Sequence, residues 1–221
     1  TKLVLRDFYK NHSFADKMVD KGFVIVDMPD TAVFEAFTFS NALDFEGILS
    51  KRAKRHFKEE VVPFCSKYNF STKGVLTPEE VQAAYKLYAN VKQNNLAINN
   101  FMYDKGLIEA MNKNPKWKFI LAKDPVDNRL LGVVFCFRNR TNNSFNPVLI
   151  GMENLETDRL ALYRQLLFQT ILHAKKMNFK KIYFGVSATF EKKKFGARMI
   201  SKEAYVQLKD QFVIDVLENF R

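Results

Sequence analysis

Residues 147–185, PVLIGMENLETDRLALYRQLLFQTILHAKKMNFKKIYFG, decide the fold. The stretch opens on aliphatic residues at 147–152 and closes on KIYFG at 181–185, and both ends have strand composition. Between them Leu162, Leu166, Phe168, Ile171 and Leu172 recur at helical intervals over residues 160–177. Lys175 and Lys176 fall in the last turn, where a helix C-terminus favours cations. Strand, long helix, strand in this order predicts a helix packed across a sheet.

Upstream, WKFILA at 117–122 and LLGVVFCF at 130–137 are two more strands, set apart by Asp- and Asn-bearing turns. With 147–152 they predict an antiparallel meander. Thr77-Pro78-Glu79-Glu80 is a capping box: Thr77 is the N-cap, Pro78 takes the first helical position and Glu80 reaches back. Val81, Ala84, Tyr85, Leu87, Tyr88 and Val91 then follow at helical spacing, and a second helical pattern over 100–111 ends at Asn114-Pro115. A short strand at 70–76 precedes this pair. Downstream come a short helix at 189–195 ended by Gly196, a strand at 204–208 and a closing helix at 212–220. The expected class is α/β (α+β), a mixed, mostly antiparallel sheet with helices on both faces.

Residues 1–70 read as a separate segment, too small to fold alone. It holds a strand at 1–8, a short helix around 14–19, a strand at 23–28 and a basic helix over 45–68. We expect it to pack on residues 71–221, either as the remnant of a preceding half or as an added edge. The chain opens with Thr1, so sequence is expected to precede it.

Twenty-two Phe against one Trp and eight Tyr predict a core of rings with no polar handle. Two cysteines, Cys65 and Cys136, cannot make a disulfide framework, which points to a reducing, cytoplasmic setting. Three scattered histidines and the absence of Cys/His spacing predict no metal site. The formal charge of +11 favours an anionic ligand. That excess gathers at KRAKRHFK, residues 51–58, and along 175–202. The first of these is a candidate tRNA-binding arm, without the interleaved aromatics of a nucleic-acid recognition module.

The element order, with a long helix after the meander and then a strand ending in Gly, resembles the GNAT N-acetyltransferase fold. Residues 150–185 look like the FemAB-like branch of that superfamily. EKKKFGA at 191–197 is similar to its Phe-Lys-x-x-Phe-Gly signature, with Lys192, Phe195 and Gly196 matching and Glu191 departing. LSKRAKRHFKEEV at 49–61 looks like the basic helix that precedes the domain. The resemblance implies direct transfer of an acyl group from acyl-coenzyme A to a small-molecule amine, in envelope or lipid precursor synthesis. It leaves open an aminoacyl-tRNA donor, as in FemAB proteins, and a fused or associated pyridoxal-phosphate-dependent biosynthetic enzyme.

By the same resemblance Glu153 is the candidate general base and Ser187 the proton donor to the leaving group. The first turn of the 160–177 helix, Arg159, Leu160 and Ala161, together with Arg164 and Lys192, would hold the coenzyme A pyrophosphate, and Tyr163 would line the acceptor cleft. Two departures are visible. No Gly-rich phosphate loop lies between Glu153 and Tyr163, and residues 188–195 contain no Tyr. Both favour a third possibility, a non-catalytic domain of this shape that binds or docks.

Overall fold

The computed structural model describes residues 3–10, 12–94, 101–153 and 159–207. The closing helix expected at 212–220 lies outside the described residues. Eight strands form one sheet: β1 (Leu3–Tyr9), β2 (Val24–Phe34), β3 (Asn69–Lys73), β4 (Trp117–Lys123), β5 (Leu130–Asn139), β6 (Ser144–Met152), β7 (Lys181–Gly185) and β8 (Arg198–Gln207). Their spatial order is β1-β8-β2-β7-β6-β5-β4-β3, antiparallel throughout except for β6 and β7, which run parallel. Six α-helices complete the described residues: α1 (Ala15–Asp20), α2 (Lys51–Glu60), α3 (Pro78–Gln93), α4 (Lys105–Lys113), α5 (Arg159–Lys176) and α6 (Thr189–Lys194). The mixed, mostly antiparallel sheet expected from the sequence is present, and α5 is the connection between its parallel pair.

Both faces are covered, which explains why β4 and β5 read as unbroken apolar runs. Phe119 and Leu121 of β4 point to α3 and α4, whereas Ile120 and Ala122 point to α5. On the first face α3 lies directly on β6. A Cβ on Gly151 would stand 2.6 Å from the Tyr88 amide nitrogen, so only glycine permits that approach. The capping box forms as expected, with Thr77 Oγ1 accepting from the Glu80 amide and a Glu80 carboxylate oxygen accepting from the Thr77 amide.

The basic segment at 45–68 is not one helix. A 3₁₀ turn at Leu43–Ile48, α2 and a second 3₁₀ turn at Val62–Lys67 replace it. Ser50 caps α2 afresh, and Pro63 cannot donate to a continuing helix. Phe45 is fully buried among Phe34, Phe39, Phe57, Phe168 and Phe195, so a ring cluster fixes this segment to β2, α5 and α6. β2 lies inside the sheet, between β7 and β8, and β1 forms its outer edge.

Candidate functional site

The parallel pair β6–β7 holds together only at its start, through Ser144↔Lys181 and Phe145↔Ile182. Beyond Phe145 the two strands part, while β6 continues to Met152. Pro147 stands at the point of divergence. Proline has no N–H to give a ladder and is tolerated at bulges and free edges. The β5 pairing shifts register here, from Phe135↔Leu149 to Cys136↔Pro147, which leaves Val148 as the extra, bulged residue. Parted strands and bulge together open a cleft of about 100 Å³ with α5 as its floor.

Pro147, Leu149 and Ile150 form one wall, Phe184 the other, and Leu166 and Leu167 of α5 lie between. Besides Thr170, whose hydroxyl donates to the Leu166 carbonyl, three polar residues line this apolar slot: Tyr163, Ser187 and Lys192. Each arrives by a local device. Tyr163 sits one turn before Leu166 and Leu167 on α5, so helical spacing alone carries it to the same stripe. Ser187 follows the Gly185 turn (φ +77°) and precedes Ala188, which is left-handed at φ +48°. That conformation is costly for a residue with a Cβ and here turns the chain from β7 into α6.

Lys192 is the unusual member. Its residue is 3% exposed, and its ammonium donates to the Phe184 carbonyl at 2.7 Å and to the Gly185 carbonyl at 3.4 Å. Burial lowers its pKa from the ordinary lysine value to about 8. An ammonium has three N–H donors, so two carbonyls leave one unaccounted for. Tyr163 is partly buried, and burial followed by the nearby Glu191 charge pushes its phenol up, keeping it neutral.

The remaining expected residues stand elsewhere. Arg164 turns away from the cleft into a buried network, with Nε on Glu191 Oε2 and Nη1 on Glu60 Oε2, both at 2.8 Å. Lys194 reaches the other Glu191 oxygen at 3.1 Å, and His56 Nε2 lies 3.6 Å from Oε2. The network ties α2, α5 and α6 into the layer that floors the site. Burial alone would raise the Glu191 pKa, but hydrogen bonds from Arg164 and Lys194 outweigh it and hold the carboxyl below its ordinary value. Glu153, just past β6, faces the other way, onto Arg129 beside the start of β5, and is not among the cleft-lining residues. Leu160 is half exposed and Ala161 buried at the first turn of α5. Residues 154–158, which lead into that turn, and the Arg159 side chain lie outside the described residues.

Of the residues singled out in the sequence, the cleft brings together Tyr163, Ser187 and Lys192; its walls, Pro147 to Ile150 on one side and Phe184 on the other, were not among them. Pro147 inside a strand was the available signal. Among the described residues no group of three or more His, Cys, Asp or Glu side chains is placed to hold a metal, and no helix is long and apolar enough to cross a membrane.

No protein-family model matches the chain, and no curated protein sequence matches it. Solved structures do. The C-terminal domain of a putative lysylphosphatidylglycerol synthetase from Agrobacterium fabrum superposes with a TM-score of 0.65 over 98% of this chain and 70% of its own, at 8% identity. FemX superposes at 0.63 over 98% of this chain and 74% of its own, also at 8% identity. A GCN5-related N-acetyltransferase from Sphaerobacter thermophilus gives 0.54 over 94% and 60%, at 9% identity. The fold is the GNAT fold.

Proposed function

We propose that the protein is an N-acyltransferase that threads the acyl arm of its donor through the cleft between β6 and β7 and delivers the acyl carbon beside Lys192 and Ser187. The observation that carries this reading is the parting of β6 and β7 after Phe145, which opens an apolar slot ending on a buried cation. A linear arm fills such a slot.

The chemistry follows from the groups present. An acceptor amine attacks the acyl carbon, the new C–N bond forms, and the bond from carbon to the donor's sulfur or oxygen breaks. Charge develops on the carbonyl oxygen during attack, and the remaining N–H of Lys192 supplies a desolvated positive donor there. Ser187 gives its hydroxyl proton to the departing sulfur or oxygen and regains one from solvent. Glu153 is not among the residues lining the cleft, and in this reading the amine sheds its proton to water. Transfer is direct in this reading, and among the described residues no thiol lines the slot. Cys136 is fully buried within β5 and burial pushes its thiol well up.

Acyl-coenzyme A is the donor of this reading, and an aminoacyl-tRNA, which the FemAB-like resemblance leaves open, is the competing donor. Calorimetry with acetyl-coenzyme A, a long-chain acyl-coenzyme A and an aminoacyl-tRNA separates the two. Ile150→Trp fills the slot and should abolish binding of whichever donor binds. Retention of full donor affinity in Ile150→Trp sinks the cleft assignment.

A further inference from the structure

A second, larger hollow of about 600 Å³ lies against a different stripe of α5, over the sheet face at β3, β4 and β5. Helical spacing separates the two sites. Tyr163, Leu166, Leu167 and Thr170 face the cleft, whereas Gln169, Leu172, His173 and Lys176 face the hollow. Its floor is apolar, with Phe70, Ile120 and Leu172, and Thr72, paired with Ile120 on the same sheet face, lines its side.

Its charge is one-sided. Lys73, Lys118, Arg138 and Lys176 line it, and no carboxylate does among the described residues. Glu80 accepts from Lys73 at 2.7 Å and from Lys123 at 3.2 Å, so it neutralises Lys73 alone of the four. Lys118, Arg138 and Lys176 form no ion pair with a carboxylate among the described residues. All three act on one point: burial first, and then their combined charge, lower the His173 pKa to about 4. His173 is thus neutral at physiological pH, and its Nε2 is buried with no hydrogen-bond partner, as is Arg138 Nε. Three cations without a carboxylate partner around one hollow are a standing cost. A ligand with negative oxygens removes it.

We infer that this hollow binds a small organic phosphate, its phosphate oxygens on Lys118, Arg138 and Lys176 and its apolar or ring portion on Phe70 and Leu172. Phosphate chemistry meets both halves of the lining. Oxyanions accept from ammonium and guanidinium donors at once, and a planar or aliphatic body covers the floor. Gly74 adds room, since a Cβ there would stand 2.5 Å from Lys118 Nζ. The site is independent of the donor cleft, because α5 stands between the two.

The test is calorimetric titration of the whole chain with inorganic pyrophosphate and with AMP, in the wild type, in Lys118→Gln/Lys176→Gln and in Ile150→Trp. Saturable binding that weakens with salt is expected in the wild type and in Ile150→Trp, with at least a tenfold loss in the double variant. AMP should bind more tightly than its phosphate alone explains, and Leu172→Asp should remove that gain. The His173 ring resonances should move saturably with ligand. Absence of saturable binding, or equal affinity in the double variant, overturns the inference. Binding to phosphatidylglycerol vesicles that the same two changes abolish, without pyrophosphate or AMP binding, also overturns it and makes the hollow a membrane-facing surface instead. Since Ile150→Trp blocks only the cleft, failure of the proposed transfer reaction and failure of this site are read separately.

Discussion

Arg164→Met is the substitution with the most to say about how the site is held. It removes the cation from a network in which the Glu191 side chain is only 10% exposed and Arg164 9%. Stripping one partner from a buried pair costs about 3–5 kcal/mol, because the other charge stays buried without it. Lys194 still reaches Glu191 at 3.1 Å, so the lower end, about 3 kcal/mol, applies. His56 adds little: burial, then Lys194 and Arg164, lower its pKa, so it is largely neutral at pH 7. For a chain of this length that loss corresponds to a fall in Tm of about 6–12 °C.

Urea unfolding followed by far-ultraviolet dichroism measures it, and Arg164→Met/Glu191→Met should regain most of the loss, since apolar residues of similar volume replace buried pairs at little cost. The acid limb provides the sign. Glu191 has a folded pKa below its unfolded one, so its contribution is present above the unfolded value near 4.5 and lost as pH falls through the folded value. Without Arg164 the folded pKa rises, and acid unfolding should begin at higher pH. Donor affinity, measured below the new Tm, should not change. A single variant within about 1 kcal/mol of wild type, or one no less stable than the double variant, refutes the account.

Gly151→Ala should cost about 1–3 kcal/mol in denaturant unfolding, because the new methyl meets backbone atoms of Tyr88 and Leu87 at 2.6 and 2.8 Å, which cannot swing aside. A neutral result would mean that α3 does not rest on β6. Lys192 predicts a rise of stability with pH. Its folded pKa of about 8 lies below the unfolded value near 10.4, so between them the unfolded chain holds the extra proton and alkali favours the fold. Wild type should therefore gain on Lys192→Met between pH 7.5 and 10, and parallel stability curves would contradict a buried ammonium.

The parts of the fold legible in the sequence were those fixed by neighbours along the chain. The Thr77 box, the apolar runs of β4 and β5, and the stripe of Leu162, Leu166 and Ile171 each carry their instruction within a few residues. Ser50 and Pro63 carried one too, a restart and a stop, which the basic composition of residues 45–68 masked. The placement of β2 between β7 and β8 was not legible, because strand composition says nothing of which strand is the partner. The same limit governed the site. Tyr163 and Ser187 sit where local spacing puts them, but the turn of Arg164 onto Glu60, 104 residues away, is decided by packing. Lysine in a basic run reads as surface, and only the end of β7 shows that Lys192 is inside.

The strand order also constrains how the chain comes to be made. Among the described residues β1 pairs only with β8, and β2 only with β7 and β8, so these two strands have no sheet partner until residues 181–207 exist. At about 5–20 residues per second, a ribosome leaves these strands waiting for roughly 10–35 s. For that interval Val33 and Phe34, among the most deeply buried residues of the finished protein, have no β-ladder to join. β1 and β2 are thus the last strands to be secured, and a chain halted before β8 would leave both with unpaired, aggregation-prone edges.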